Sequence, residues 1–291
     1  MAGQFINPDP LLESSDAPHE QIDIPIHSGY QAIKEAAQFR GHSRIFDSIA
    51  GRLAQIDMPY EDQCSIDYYF DLVRVLRDLN GEYERVVEVG VYMGGASSVI
   101  AGCAERFDFD LDLVDIRANN LRFSYERIRR AFPEAVGRVR LFHGDVPAYV
   151  REVMLKERAR RSLLHHDGAH DFNQVVTDLS ALSFARESIH AIIAQDTHLR
   201  GTLENMNFVD LALNAVFGPD LNYMPIGKVY DANDDRTAPN RYQGNYFLPG
   251  IAEGMVLPLH ANQFHYPHPS MTFEAMFGEH ESAAVEDRAA A

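Results

Sequence analysis

The hydrophobic positions of this chain fall into two regimes. From Gly29 to Leu53 apolar residues such as Ile33, Ala37, Ile45 and Ile49 recur at helical spacing. A second helical pattern starts at Ser65, carries Tyr69, Leu72, Val73, Val75 and Leu76, and stops at Asn80-Gly81. Beyond it, short runs rich in β-branched residues alternate with amphipathic stretches. The runs at 86–89, 111–114, 139–142, 162–166 and 191–195 predict strands. Helices are predicted near 96–106, on the face bearing Leu121, Tyr125, Ile128 and Phe132, through 148–160 and over 172–182. Strands alternating with helices imply an α/β fold with a doubly wound, mostly parallel sheet. Right-handed crossovers then put every strand's carboxyl end on one edge. Asp115, Asp145, Asp167 and Asp196, which follow the strands, are therefore expected to converge on one rim. After a helix near 208–216, apolar runs at 223–230, 246–249 and 255–259 predict a C-terminal antiparallel hairpin. The polar segment 231–245 forms a long loop over the rim.

Residues 1–28, rich in Pro, Asp, Glu and Ser, are expected to be a flexible arm that orders against another subunit, which makes a homo-oligomer the expected assembly. Residues 29–82 hold the N-terminal helices, 83–278 the main domain and 279–291 a disordered tail. Net charge is −17, from 26 basic and 43 acidic residues among 291. Such a surface repels phosphate backbones, so nucleic acid is not an expected partner. The clusters Arg122, Arg127, Arg129, Arg130 and Lys156, Arg158, Arg160, Arg161 read as solvated helix faces. Two cysteines, Cys64 and Cys103, cannot build a disulfide framework or a cysteine-rich zinc site. No basic-then-apolar leader and no membrane-length apolar run is present, so a cytoplasmic protein with no membrane partner is expected.

The stretch VVEVGVYMGGASS at 86–98 joins a buried strand to a helix through a glycine-rich turn. Gly90, Gly94 and Gly95 let the backbone turn sharply and approach a ligand, and Ser97 or Ser98 is placed to cap the helix. The spacing is G-x-x-x-G-G rather than the G-x-G-x-x-G of dinucleotide folds, so no pyrophosphate need sit on the helix. Asp115, at the end of the second strand, can accept hydrogen bonds from both ribose hydroxyls, and Asp145 can receive an adenine amino group. Loop capping is the plain alternative for both.

With these pieces the chain resembles class I S-adenosylmethionine-dependent methyltransferases. The resemblance rests on EVGVYMGGAS at 88–97, VDIR at 114–117, HGD at 143–145, LLHHDGAH at 163–170 and IIAQD at 192–196, and spans about residues 60–260. Its most specific part, HHDGAHDFNQVVTDL, is similar to the D-G-x-H segment of macrolide-sugar-type O-methyltransferases and of the cephalosporin hydroxylase family. The resemblance implies a Rossmann-like methyltransferase fold. It also implies a small-molecule substrate and S-adenosylmethionine as cofactor. Glu88, Gly90, Gly94, Gly95 and Ser97 would then hold the methionine portion, and Asp115 the ribose.

Asp167 and Asp196 end neighbouring strands, and two carboxylates facing one crevice need a cation or a proton between them. Mg²⁺ is the first expectation for such oxygen ligands. In the resembling metal-dependent enzymes the ion grips two vicinal substrate oxygens. His170 is placed to take the substrate proton, so Asp167 and His170 are the candidate catalytic pair. Thr197 and His198 stand where the resembling enzymes carry another acidic or amide residue, which leaves Mn²⁺, Fe²⁺ or no metal open. Asn222 and Asn233 are possible substitutes. An N-cap at Asp167 and a helix-start hydrogen bond at His170 are the plain readings, and His165 and His166 read as strand residues, one of them buried. The tail aromatics Tyr223, Tyr230, Tyr242, Tyr246 and Phe247 suit a sugar or phenol pocket or the core. The expected function is metal-assisted O-methylation of a sugar or phenolic hydroxyl. Two rivals remain: a non-haem iron hydroxylase built on the H-x-D of His165 and Asp167, and a non-catalytic cofactor-binding module.

Overall fold

The structure is a computed structural model that describes residues 3–201, 207–239 and 244–267. Its strands are β1 (Gln4–Ile6), β2 (Arg85–Val89), β3 (Asp110–Asp115), β4 (Val139–His143), β5 (Ser162–His166), β6 (Ile189–Gln195), β7 (Leu199–Arg200), β8 (Met224–Val229), β9 (Tyr246–Phe247) and β10 (Ala252–Pro258). Its helices are α1 (Pro18–Gln21), α2 (Arg44–Leu53), α3 (Ile66–Asp78), α4 (Gly95–Phe107), α5 (Ala118–Ala131), α6 (Val146–Tyr149), α7 (Phe172–Ser183) and α8 (Val209–Phe217). Eight strands form one sheet in the order β1-β4-β3-β2-β5-β6-β10-β8. The strands β4, β3, β2, β5 and β6 are parallel, while β10 runs antiparallel between β6 and β8.

All five residues of β2 are buried, as a central strand covered on both faces requires. Successive side chains serve opposite layers. Val86, Leu111, Leu113, Leu163 and Ile193 pack under α2, α3, α4 and α5. Val87, Val89, Val114, Leu164 and Ile192 pack under α6, α7 and α8. The doubly wound sheet and its closing antiparallel pair are as expected.

Four local expectations are corrected. The 29–53 pattern is a run of 3₁₀ turns over Ala32–Phe39 and a separate α2, split at Gly41, whose φ is +86°, and restarted by the Ser43 cap. The predicted 148–160 helix is only α6 followed by a π-helical turn at Val150–Met154. Tyr246–Phe247 stays out of the main sheet and pairs with β7. The arm is not free: β1 adds antiparallel to β4 of its own chain, with Phe5 opposite Phe142. An edge strand offers unpaired N–H and C=O groups, and the arm's own first residues satisfy them. The 279–291 tail and Tyr242 lie outside the described residues. No helix among the described residues is long and apolar enough to cross a membrane.

Candidate functional site

Strand order reverses at β2. The chain moves outward to β3 and β4, then crosses back to β5 and β6 on the other side. Crossover helices therefore leave β2 and β5 toward opposite faces, and a crevice opens outside the strands' carboxyl ends. A cavity of about 530 Å³ lies there, lined by Gly90, Asp115, Gly144 and Asp145 and by the loop from Asp167 to Asp171. That volume suits a small-molecule ligand. A smaller cavity adjoins it, shares Gly90, Tyr92 and Asp167, and reaches Glu88, Gly95, Cys64 and Tyr69.

The glycines of the turn make room for the protein itself. Gly90 has φ +79°, and a Cβ there would lie 2.2 Å from the Asp167 carbonyl oxygen. A Cβ on Gly94 would meet Ser124 at 2.8 Å, and one on Gly95 would meet the Tyr69 hydroxyl at 2.0 Å. Gly94, in the left-handed region, is the N-cap of α4, so the expected serine cap is absent. Ser98 Oγ instead donates to the Gly94 carbonyl at 2.6 Å, and the buried Ser97 hydroxyl has no partner. Ser97 is not among the residues that line either cavity.

The Asp115 carboxylate, at the cavity wall, accepts hydrogen bonds from Val91 N at 3.1 Å, Asn120 Nδ2 at 3.2 Å and Arg117 N at 2.8 Å. Two carboxylate oxygens offer about four acceptor positions, so capacity remains for a ligand hydroxyl. Asp145 caps α6 through Ala148 N at 2.8 Å and also lines the cavity. Glu88 is 1% exposed, and its Oε2 has no hydrogen-bond partner.

Asp167 and His170 line the far wall, and their ligand atoms and that of Asp196, which lines neither cavity, lie within 4.8 Å of one another, the group among the described residues able to hold a metal ion. His170 Nε2 stands 2.9 Å from Asp196 Oδ2. Asp196 has φ +60°, in the left-handed region that is uncommon for residues with a side chain. Burial, reinforced by the charges of Asp196 and Glu88, pushes the Asp167 carboxyl well above the usual range. Burial also opposes ionisation of Asp196, but the charge and hydrogen bond of His170 outweigh it and lower its pKa. For His170, burial is overcome by Asp196, and the imidazole is raised above its ordinary value.

Several candidates prove to be elsewhere. Thr197 is fully buried and donates to the Ala252 carbonyl of β10 at 2.9 Å, so its hydroxyl is already engaged. His198 stacks on Phe247 at 4.1 Å, and burial lowers its pKa to about 4. Asn222 precedes β8 at the opposite edge of the sheet, and Asn233 sits in an exposed turn bonded to Asp231. Tyr223 is exposed, whereas Tyr230 is buried beside His198 and Phe247. Both His165 and His166 are buried: Tyr68 OH meets His165 Nε2 at 2.9 Å, and His166 Nε2 meets Asp178 Oδ2 at 3.0 Å. The H-x-D pair therefore does not assemble, because His165 is outside the metal-capable group.

The scaffold behind the turn was not expected. Arg127 is fully buried rather than solvated; it binds Asp62 at 2.7 Å, donates to the Met93 carbonyl and lies over the Tyr60 ring. Its sequence position, on the α5 face with Ser124, Ile128 and Ala131, was the available signal. Glu61 accepts from Ser28 N at 2.7 Å, Gly29 N at 3.0 Å and Tyr92 OH at 2.7 Å, tying the N-terminal segment to the turn. Burial opposes the Glu61 charge, but the Tyr92 and Ser28 hydrogen bonds prevail and hold its pKa at about 2.

By sequence, no protein-family model and no curated protein matches the chain. In structure it is similar to several O-methyltransferases. One is the calicheamicin methyltransferase CalS11, at 12% identity over 87% of this chain and 95% of that one, with a TM-score of 0.48. Another is the O-methyltransferase TomG of tomaymycin synthesis from Streptomyces achromogenes, solved with SAM, at 12% identity over 78% and 95%, TM-score 0.47. A third is an O-methyltransferase from Bacillus cereus in complex with SAH, at 13% identity over 82% and 94%, TM-score 0.44.

Proposed function

We propose that this chain is an S-adenosylmethionine-dependent O-methyltransferase acting on a small molecule, assisted by a divalent cation. One observation carries the reading. At the sheet's switch point two adjoining cavities bring acceptors (Asp115 in the larger, the unpartnered Glu88 Oε2 in the smaller) together with Asp167 and His170, and Asp196 stands directly against His170. The residues fit the cofactor. The buried Glu88 Oε2 lacks a donor, which the ammonium of a methionine portion would satisfy, and Asp115 retains acceptor capacity for ribose hydroxyls. They also fit a cation, since Asp167 and Asp196 would offer carboxylate oxygens to Mg²⁺ or Mn²⁺ and leave the His170 imidazole free to handle a proton.

Bound there, S-adenosylmethionine supplies an electrophilic methyl group and the cation supplies Lewis acidity to the acceptor oxygen. The protein does the rest. Asp196 holds the His170 ring by its Nε2 contact, and His170 in its neutral form takes the proton of the acceptor hydroxyl. The crevice walls align the reactants and exclude water. The acceptor class this favours is a vicinal diol or catechol.

Asp167→Asn and Asp196→Asn test the reading. Each should abolish Mn²⁺ binding read by electron paramagnetic resonance, while affinity for S-adenosylhomocysteine stays within about threefold, under 1 kcal/mol. Retained Mn²⁺ binding in both variants would remove the cation from the proposal.

A further inference from the structure

The sheet carries a device aimed at Glu88 that neither the cofactor turn nor the rim chemistry accounts for. Glu88 on β2 and His165 on β5 are register partners in adjacent parallel strands, so their side chains share a face. His165 Nδ1 lies 3.6 Å from Glu88 Oε1, an electrostatic contact just beyond hydrogen-bond length. On its other side His165 Nε2 is 2.9 Å from the Tyr68 hydroxyl. All three side chains are at most 1% exposed.

Tyr68 is admitted by two glycines. A Cβ on Gly254 of β10 would lie 2.7 Å from the Tyr68 ring, and one on Gly227 of β8 would lie 2.9 Å from it. Both strands give up a side chain where the ring from α3 lies against the sheet, and the hydroxyl thereby reaches His165 across β6 and β10. The Glu88 carboxylate selects the tautomer of His165. The phenol keeps its proton, because burial and the neighbouring Cys64 and Asp167 push its pKa far up. The opposite tautomer would turn a bare Nδ1 lone pair toward the Glu88 carboxylate 3.6 Å away, so the favoured arrangement has Tyr68 donating to Nε2. In the neutral ring the N–H is then on Nδ1, which faces Glu88. Nδ1 and Glu88 Oε2 are both buried without a hydrogen-bond partner, and Glu88 borders the smaller cavity.

We propose that Tyr68 and His165 are positioning residues that aim the Glu88 carboxylate at an ammonium group in the smaller cavity, so that recognition of the amino-acid end of the ligand runs through a Tyr68–His165–Glu88 chain. The inference rests on the reading of the ligand as S-adenosylmethionine. Neither Tyr68 nor His165 lines either cavity; they set the orientation and proton arrangement of Glu88, which does.

The test compares two nucleosides on the full chain by calorimetry: S-adenosylhomocysteine, which carries the amino-acid end, and 5′-methylthioadenosine, which lacks it. Tyr68→Phe keeps the ring and removes the donor. It should weaken S-adenosylhomocysteine by about tenfold and leave 5′-methylthioadenosine within about twofold. His165→Gln, a second variant that covers a failure of the first to fold, should show the same selectivity. Equal weakening of both nucleosides, or no weakening of either, would overturn the chain and leave the cofactor reading standing. A wild-type protein that binds neither nucleoside would overturn the cofactor reading, and the inference with it.

Discussion

Single residues here are set by what surrounds their charge. Asp115 holds two backbone N–H groups at the turn and still presents acceptor positions to the cavity. Asp115→Ala should therefore weaken S-adenosylhomocysteine by about ten- to a hundredfold, the usual cost of losing hydrogen bonds to a charged group. Asp115→Asn should recover part of that loss; calorimetry checks both. Glu253 is the opposite case. It is buried on β10, accepts from Ser65 N at 2.8 Å, bonds the Ser65 hydroxyl, and has its pKa raised to about 7 by burial despite those bonds. With a folded pKa above the unfolded value, the native state binds more protons between about pH 4.5 and 7. The carboxyl thus adds no penalty below that window, and stability falls as pH rises through it. Glu253→Gln should gain stability relative to wild type on going from pH 5 to pH 8, by at most about 3 kcal/mol, measured by urea unfolding at the two pH values. An unchanged difference would mean that Glu253 is ionised in the fold throughout.

Elements show which signals in the chain were readable. The strands around the site were legible because doubly covered parallel strands are short and rich in β-branched and aliphatic residues, as at Val86, Val87 and Val89 or at Ile192, Ile193 and Ala194, even where a buried Glu88 or a half-buried His190 interrupts them. The glycine turn was legible as a turn, but its reason was not. Whether a missing Cβ admits a ligand or a neighbouring backbone depends on a contact between β2 and the loop after β5, far apart in sequence. At Gly90 the answer is backbone. Gly90→Ala should accordingly cost about 3 kcal/mol or more in stability, from both the collision and the positive φ, and reduce nucleoside binding with it. A thermal melt that matches wild type would show the turn to be looser than this packing implies. The split of the first helix and the shortness of α6 were hidden for a related reason. Helical spacing continues across Gly41 and through 150–160, and only tertiary packing decides where the helix stops. Arg127 was misjudged because a basic run resembles a solvated face until Asp62, distant in sequence, is seen to meet it.

At the scale of the whole molecule, the strand order places the crevice, which is lined by acids from three strand ends, Asp115, Asp145 and Asp167, with Asp196 against His170 beside it, in a chain of net charge −17. Convergence on one rim was predictable from handed crossovers alone. The partition of labour on that rim was not, because it depends on pairings such as His170 with Asp196 and Tyr68 with His165 that join distant segments. The arm folding back on β4 is a further property of the assembled sheet, since the edge it covers exists only once the sheet has formed. What fills the crevice decides the function. The measurement that tests it most directly is calorimetric titration of the full chain with S-adenosylmethionine and S-adenosylhomocysteine, with and without Mg²⁺ or Mn²⁺. Binding of both nucleosides at about micromolar Kd, together with a separate cation effect lost in Asp167→Asn, is the predicted result. No binding of either nucleoside under any of these conditions would contradict the methyltransferase reading.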